Sequence, residues 1–389
     1  MNRMTETNAL SALLALPEDE KALRGLRHTP HEIHQQPETW KTTYRIVAQR
    51  QAVLKEFLLS RRRPTVFLVG AGTSDYIGRA LTQLLRRKWR SETLAVPSTD
   101  LLTEMDGLTL PERPYLWISF SRSGDSAEGV AVIATALERY PQIRHLVVSC
   151  NREGRMARDF AGHPNVFSLT LDDAVNDRGL AMTSSFTNMV VAGQCLAHIS
   201  ALSDYEATLE RLCAAGKNAL APAANLAARL AEGNYSQACF LGSGALNAVA
   251  QEAALKLLEL TAGRVHTMSE SFLGVRHGPL SAVSDETLLV AFLSGEARRS
   301  AYELDLLAEA RRKDLGRKRI VISADHQEGP ADEILNLDLR MADEYRPPVD
   351  VLFGQLLGLF ASLRQGLKPD APSPNGAISR VVSEVKIYA

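Results

Sequence analysis

Two stretches of the 389-residue chain repeat the same order of strand, glycine turn and helix, and this repeat limits the possible folds more than any other feature. The stretches are VFLVGAGTSDYIGRALTQLL and ACFLGSGALNAVAQEAALKLLEL. One offset of 172 residues aligns Gly70 with Gly242 and also Gly72 with Gly244. Each copy joins a short apolar strand, a Gly-X-Gly turn and a helical period. The chain is therefore expected to contain two related halves.

The elements that follow each glycine turn also repeat. YLWISFSRSGDS at 115–126 matches LLVAFLSGE at 288–296, and HLVVSC at 145–150 matches RIVISA at 319–324. These Val-, Ile-, Leu- and Phe-rich strands alternate with helical stretches, a pattern typical of parallel strands that are covered on both faces. The sequence predicts an α/β fold with one parallel sheet, flanked by helices, in each half.

The length also favours two or three domains, because a single hydrophobic core rarely organises 389 residues. We expect four segments. They are an N-terminal helical segment at 1–27, a first domain at 28–212, a second domain at 213–369 and a C-terminal arm at 370–389 that packs back on the body.

Charge and cysteine content exclude several classes of protein. Lys and Arg number 44 and Asp and Glu number 45, so the chain lacks the basic excess that nucleic-acid binding needs. The four cysteines show no CxxC spacing, which argues against a disulfide framework or a zinc site and favours reduced thiols in the cytoplasm.

The sequence gives no indication of export or of a membrane anchor. The N-terminus has no long apolar core of a secretory signal. The longest uncharged run, 179–203, contains several hydroxyl and amide side chains and is therefore expected to be a buried helix rather than a membrane span.

The first glycine turn can bind an anion. A dinucleotide-binding fingerprint would need a third glycine where Asp75 stands, so a nicotinamide-dependent dehydrogenase is not expected. Gly72 and Ser74 at the start of a helix would still offer backbone N–H groups and a hydroxyl to a phosphate. The alternative is a plain tight turn in which Ser74 caps the helix.

The loop after the next strand carries three hydroxyls. Ser121, Ser123 and Ser126 lie between the strand at 115–120 and a helix that ends near 140. Hydroxyls, a glycine and a helix N-terminus at the carboxyl end of a parallel strand form a phosphate site that needs no metal. An ordinary capped loop would need only one serine. Arg122 is expected to face the phosphate or solvent, and Asp125 to point outward.

In the second half, a helix carries three charged residues on one face. Glu252, Lys256 and Glu259 are spaced four and three residues apart. Such spacing usually indicates a solvated salt-bridge ladder. The flanking positions 253–255, 257–258 and 260 are all apolar, so we expect the helix to be buried, and a buried charged stripe is costly unless it has a function.

Histidines supply further candidates. His277 precedes Gly-Pro on an irregular segment, where it either acts chemically or lies on a surface loop. His28, His31 and His34 have a spacing that metal ligands can show, but Pro30 is expected to interrupt their helix and no further ligand completes a set. We therefore predict neither a metal nor a cofactor.

Together these motifs resemble the proteins with two sugar-isomerase (SIS) domains. The resemblance lies in VGAGTSDYIG, SFSRSGDSAE, QEAALKLLEL and ESFLGVRHGPL, with HEIHQQP as the entry segment. LDDAVNDRGLAMTSSFTNMVVAGQ and ISRVVSEVKIY are similar to the AgaS-type subgroup of amino-sugar catabolism. The resemblance implies tandem SIS domains, each a three-layer α/β/α unit of flavodoxin-like topology.

The resemblance also implies roles for individual residues. The best-understood relative is the isomerase half of glucosamine-6-phosphate synthase. Its phosphate-binding residues and its proton-transferring Glu with two helix partners align with positions of this chain. Its ring-opening His, which comes from a neighbouring subunit, also has a counterpart. Its sugar-binding Lys has no matching position, because Lys386 is displaced toward the end of the chain. The phosphate residues that it implies are Ser74, Ser121, Ser123 and Ser126, to which the two loops add Gly72 and Arg122, and the catalytic set is Glu252, Lys256, Glu259 and His277.

The resemblance implies a cytoplasmic enzyme that acts on a hexosamine or hexose 6-phosphate. The AgaS-type subgroup favours deamination of galactosamine 6-phosphate to tagatose 6-phosphate, with ketose/aldose isomerisation without deamination as the alternative. A sugar-phosphate-sensing regulator is a second alternative, although no helix-turn-helix pattern precedes the first domain. A homodimer or a dimer of dimers with shared active sites is expected, with no nucleic-acid or membrane partner.

Overall fold

The computed structural model describes residues 8–59, 63–326, 329–382 and 385–388, which separate into two compact units. Each unit contains one sheet of five parallel strands with helices around it. The expected α/β class and its two sheets are confirmed. The strands of the first unit are β1 Thr65–Gly70, β2 Thr93–Pro97, β3 Tyr115–Ser121, β4 Arg144–Ser149 and β5 Val166–Thr170, and those of the second are β6 Gln237–Leu241, β7 His266–Glu270, β8 Thr287–Phe292, β9 Lys318–Ser323 and β10 Glu333–Asn336.

Helices occupy most of the remaining chain. The α-helices are α1 Ala9–Leu14, α2 Glu18–Arg24, α3 Thr29–His34, α4 Gln36–Gln49, α5 Gln51–Leu59, α6 Thr73–Trp89, α7 Ser98–Leu108, α8 Ala127–Arg139, α9 Arg155–Arg158, α10 Ser184–Ala197, α11 Glu206–Ala231, α12 Ala245–Leu260, α13 Ala297–Arg312 and α14 Pro347–Arg364. Short 3-10 helices span Asp173–Val175, Ile199–Tyr205, Gly274–His277, Pro279–Ala282 and Asp343–Tyr345.

The two sheets have the same topology. The strand order is β2-β1-β3-β4-β5 in the first unit and, read in the same direction, β7-β6-β8-β9-β10 in the second. The register agrees as well, because Thr65 pairs with Tyr115 and Gln237 pairs with Thr287. Both pairs are related by the 172-residue offset of the sequence repeat. The repeat therefore corresponds to one supersecondary unit that is present twice.

The repeated glycines have two physical reasons. A Cβ on Gly70 would lie 2.4 Å from the carbonyl carbon of Ser74, and a Cβ on Gly242 would lie 2.1 Å from the Leu246 oxygen, so only glycine lets each helix approach its strand. Gly72 and Gly244 precede the two helices with φ of 55° and 58° and ψ of −125° and −127°. Side chains rarely adopt that conformation.

The units differ in outline from the contiguous domains that the sequence predicts. The first unit comprises the described residues of 38–177, 184–210 and 378–388, and the second comprises those up to 37 and of 178–183 and 211–377. The segments before Pro37 and around residue 180 therefore pack with the second sheet. One contact of the N-terminal segment within this unit involves Asp370. The Asp370 carboxylate accepts hydrogen bonds from the backbone N–H and the hydroxyl of Thr29, both at 2.8 Å.

Two helices correct or confirm local predictions. Pro30 does not interrupt a helix, because it lies in the first turn of α3, where a missing N–H costs nothing. The uncharged run contains α10, every residue of which is buried, as expected. Within the part of the chain that the structure covers, no helix combines the length and apolar character that a membrane span requires.

All four cysteines are buried free thiols in the structure. Cys150 and Cys195 lie in the first unit and Cys213 and Cys239 in the second. Burial raises the pKa of Cys150 and Cys195, and it raises the pKa of Cys239 to about 12.

Candidate active site

The hydroxyl-bearing loops of the first unit meet at the carboxyl edge of its sheet. After β1 the chain continues to β2 on one side, and after β3 it continues to β4 on the other. β1 and β3 are hydrogen-bonded neighbours, so the loops that follow them flank the point where the direction of winding changes. Open α/β sheets bind ligands in the crevice at such a point. Gly72, Ser74 and the Ser121–Ser126 loop all lie there.

Ser74 belongs to the first turn of α6 rather than to its cap. The helix begins at Thr73 after the capping residue Gly72, which corrects the alternative in which Ser74 caps the helix. The Ser74 side chain is buried, while Gly72 is exposed. The buried neighbour Asp75 accepts a hydrogen bond from Arg79 Nε at 2.7 Å. Burial raises the pKa of Asp75 and Arg79 opposes the shift, and the Arg79 guanidinium offsets the negative charge of the carboxylate beside Ser74.

The Ser121–Ser126 loop presents hydroxyls that still have a proton to donate. Ser121 Oγ accepts the N–H of Gly124 at 3.0 Å, and Ser123 Oγ accepts the N–H of Asp125 at 3.1 Å. A hydroxyl that accepts from the backbone can donate its own hydrogen to an anion. Ser126 is the capping residue of α8, which spans Ala127–Arg139 as the sequence indicated.

The charged residues of this loop are held by other segments. The Asp125 carboxylate accepts the N–H of Arg155 at 2.9 Å and lies 3.4 Å from the Asn151 amide nitrogen, so it is bound to the next loop. Arg122 is buried rather than solvent-facing, and its guanidinium donates to the backbone carbonyl of Arg380.

The C-terminal arm thus contributes a residue that sequence reasoning missed. Arg380 Nε donates to the Asp177 carbonyl at 2.6 Å, and its Nη2 donates to Asn176 Oδ1 at 2.6 Å. Arg380 and Asp177 are 203 residues apart in sequence, so no spacing pattern links them. The arm therefore lies against the Ser121–Ser126 loop through Arg122.

The charged stripe of α12 is buried at one end and open at the other. Glu252 and Lys256 are fully buried, whereas the Glu259 side chain is 23% exposed. Lys256 Nζ lies 3.4 Å from Glu252 Oε1 and 2.5 Å from Glu259 Oε2. The predicted burial is confirmed for the first two residues and the shared helix face for all three. A solvated salt-bridge ladder is excluded.

Close packing fixes α12 against α14. A Cβ on Gly354 would lie 2.4 Å from Ala253 Cβ, and one on Gly358 would lie 3.0 Å from the Lys256 oxygen. Glycines at these two positions let the helices approach closely. A helix held this tightly positions Lys256 and Glu259 with little freedom, as a proton-transfer site requires.

His277 ends a 3-10 helix and is exposed. Its neighbour Arg276 is turned away into the unit, where it donates to Glu309 Oε2 at 2.9 Å and to Asp305 Oδ2 at 2.7 Å. Gly278 follows with φ of 129°. The Arg276 pairs anchor the segment and leave the imidazole of His277 on the surface.

Two cavities among the described residues lie apart from these side chains. A cavity of about 430 Å³ lies at the opposite, amino-terminal edge of the second sheet, beside Tyr235, Leu288 and Lys318. Another of about 460 Å³ lies beside the first unit's candidate loop, where Asn151 lines it. Among the described residues, His, Cys, Asp and Glu form no group of three or more that could hold a metal ion.

Comparison with known proteins shows which family this chain belongs to. The model of the SIS domain matches residues 234–356, which hold α12 and His277. The AgaS protein of Streptomyces coelicolor is 36% identical over 384 residues, covering 96% of this chain and 97% of that protein. An Escherichia coli protein named D-galactosamine-6-phosphate deaminase AgaS is 34% identical and covers 92% of this chain and 95% of its own length.

A solved structure agrees with the sequence relatives. The crystal structure of tagatose-6-phosphate ketose/aldose isomerase from Escherichia coli superposes with a TM-score of 0.85 at 32% identity. It covers 93% of this chain and 96% of the solved one. The similarity therefore extends over both units.

Proposed function

Because this chain belongs to the AgaS family of SIS-domain proteins, we propose that it is an enzyme that deaminates galactosamine 6-phosphate to tagatose 6-phosphate and ammonia. The observation that carries the chemistry is the Lys256–Glu259 pair on α12, in which a buried ammonium holds a partly exposed carboxylate. The hydroxyl loops of the first unit supply the binding site for the phosphate.

Phosphate binding is assigned to the carboxyl edge of the first sheet. The hydroxyls of Ser121, Ser123 and Ser126, together with Gly72 and Ser74 at the start of α6, offer hydrogen-bond donors and two helix N-termini to a dianion. Arg122 adds a positive charge next to the loop. This arrangement binds a phosphate without a metal ion.

Proton transfer is assigned to Glu259. His277 opens the sugar ring by moving a proton between O5 and O1. Glu259 then removes the C2 proton and returns a proton to C1 through an enolamine. The resulting ketimine is hydrolysed by water, which releases ammonia and leaves the ketose 6-phosphate. Lys256 and Glu252 hold the Glu259 carboxylate in position.

A second candidate is isomerisation without deamination. The solved Escherichia coli relative is described as a tagatose-6-phosphate ketose/aldose isomerase, and a hydroxyl at C2 in place of the amine would give that reaction with the same residues. The two reactions differ in the substituent at C2, which neither Glu259 nor His277 selects.

The assembly is also part of the proposal. His277 is exposed, and we assign it to the active site of a neighbouring subunit in a homodimer or a dimer of dimers. Four reduced thiols fit a cytoplasmic enzyme.

One assay tests the function. Ammonia release is measured with purified galactosamine, glucosamine and N-acetylated hexosamine 6-phosphates, and tagatose 6-phosphate isomerisation is measured in parallel. We expect ammonia with galactosamine 6-phosphate. Isomerisation of tagatose 6-phosphate without ammonia from any amino sugar would instead establish the second candidate.

A further inference from the structure

The second sheet has the same ligand-binding crevice as the first, but carboxylates of the chain itself fill it. The winding direction changes between β6 and β8, as it does between β1 and β3. The Asp343 carboxylate lies at the loop after β8. Glu303 joins the two loops of the crevice, because it accepts the Ser294 N–H at 2.7 Å and is hydrogen-bonded by the Ser243 side chain.

The loop after β8 has the local geometry of the proposed phosphate loop. Ser294 Oγ accepts the N–H of Glu296 at 3.0 Å, just as Ser123 Oγ accepts the N–H of Asp125 at 3.1 Å. A glycine follows the serine in both loops, and a helix begins shortly after. Ser294 in the second unit therefore corresponds to Ser123 in the first.

Asp343 is bound as an anionic ligand would be. Its Oδ2 accepts the Ser294 hydroxyl at 2.5 Å and Arg299 Nη1 at 2.6 Å. Its Oδ1 accepts the Gly295 N–H at 2.9 Å and Arg346 Nη1 at 3.0 Å. A hydroxyl, a backbone N–H and two guanidinium groups are the donors that proteins commonly use for phosphate.

The same N–H has a different partner in the first unit. Gly124, the counterpart of Gly295, donates to Ser121 Oγ. In the second unit Phe292 stands two residues before the serine, where Ser121 stands in the first, and its side chain has no oxygen that could accept a hydrogen bond. The Gly295 N–H therefore binds the carboxylate directly.

We infer that the second unit retains an anion cradle built like the proposed phosphate cradle, and that the Asp343 carboxylate occupies it as an intramolecular substitute for phosphate. The comparison rests on the proposed function of the Ser121–Ser126 loop. The filled cradle leaves one phosphate site per chain. The same comparison predicts that an anion in the first unit accepts from the Ser123 hydroxyl and, in place of the Gly124 N–H, from the Ser121 hydroxyl to which that N–H donates.

The charges around Asp343 support this assignment. Without Asp343, Arg299 and Arg346 would face the vacated space, and Arg346 would keep Asp350, whose Oδ1 lies 2.7 Å from its Nη2. Glu303 is the remaining carboxylate at the crevice, and burial raises its pKa. An added anion would therefore meet two cations and the Ser294 and Gly295 donors.

The test uses Asp343→Gly, which removes both the carboxylate and its methylene. Crystals of the full chain are soaked in selenate, a tetrahedral oxyanion that is located by its anomalous scattering. We expect selenate at Ser294 and Gly295 in Asp343→Gly and none there in the wild type or in Asp343→Asn, which keeps the bulk of the side chain. An empty Ser294 site in Asp343→Gly overturns the inference, whatever binds in the first unit.

Selenate binding to the first unit is measured separately in the same crystals. Absence of selenate from the Ser121–Ser126 loop would count against the proposed function and leave the second cradle standing. If Asp343→Gly gives no crystals, the rise in melting temperature from chloride to phosphate at equal ionic strength is compared between Asp343→Gly and Asp343→Asn, whose first units are identical. Phosphate at ten times the Kd of the second cradle should add about 2 °C to the melting temperature of Asp343→Gly. An equal rise in the two variants, or an equal gain in their refolding yield from phosphate, would overturn the inference.

Discussion

The ammonium nitrogen of Lys256 lies 2.5 Å from Glu259 Oε2, one helical turn further along α12. The lysine is buried, while the glutamate side chain keeps 23% of its surface exposed. Charge-assisted hydrogen bonds of this kind fix orientation as well as adding energy. The buried ammonium of Lys256 thus holds the Glu259 carboxylate where a substrate cannot displace it. The exposed side of the carboxylate stays accessible to a substrate.

Glu259→Gln should abolish proton transfer while leaving substrate binding intact. The amide keeps the shape of the side chain but cannot act as a base, and loss of a general base costs about 10²- to 10⁴-fold in rate. We expect no exchange of the C2 proton with solvent deuterium, measured by NMR, and no ammonia release. Wild-type exchange in the folded variant would rule out Glu259 as the base.

Glu252→Gln is the matched control on the same helix. Glu252 contacts Lys256 at 3.4 Å but is fully buried, so it positions the lysine and does not reach the substrate. We expect a smaller loss of rate than for Glu259→Gln, together with a lower melting temperature. A larger loss of exchange in Glu252→Gln would reverse the two assignments.

Replacing both Ser121 and Ser123 with Ala should weaken substrate binding. Each hydrogen bond to a charged phosphate is worth about 1.5–3 kcal/mol, so KM should rise by about 10²-fold or more. Ser168→Ala on β5 of the same unit is the control and should leave KM unchanged. If steady-state kinetics give an unchanged KM for the double variant, the phosphate binds elsewhere.

Shared active sites predict complementation between inactive chains. His277→Ala and Glu259→Gln subunits are mixed and allowed to exchange, and ammonia release is measured. Each mixed pair contains one site with both groups intact, so activity should return to about one quarter to one half of the wild type at most. No recovery after confirmed exchange would assign both residues to one chain's site.

Stability should fall as the pH drops from about 6.5 toward 3, in part because of His145. Burial lowers the pKa of this histidine to about 3, so the unfolded chain binds the proton first and acid favours unfolding. The loss amounts to about 2 kcal/mol at pH 5. In His145→Phe, thermal unfolding should depend less on pH, with a residual dependence from His198, whose pKa burial lowers to about 4.

The exposed His326 provides the control for this measurement. His326→Gln should keep the wild-type pH dependence, because the His326 side chain is 83% exposed and folding does not bury it. A His145→Phe variant with the full wild-type slope would show that other groups cause the acid sensitivity.

The sequence predicts features that depend on local periodicity. Gly72 and Gly244 reveal the repeat because their shared backbone conformation strongly favours glycine, and the apolar sequence around Lys256 predicts its burial. Contacts between distant segments leave no such pattern. Ser294 binds Asp343 across 49 residues, and the pairing follows from the fold rather than from spacing. For the same reason the sequence does not predict the contact between Arg380 and Asp177.

The distribution of the four cysteines gives each unit its own chemical reporter of local opening. A buried thiol with a raised pKa reacts with an alkylating reagent only when its surroundings open, since the thiolate is the nucleophile. Alkylation of Cys150 and Cys195 therefore records the opening rate of the unit with the hydroxyl loops, and alkylation of Cys213 and Cys239 records that of the unit with α12. Mass spectrometry of the labelled peptides would measure the opening of each unit separately, without any substitution in the chain.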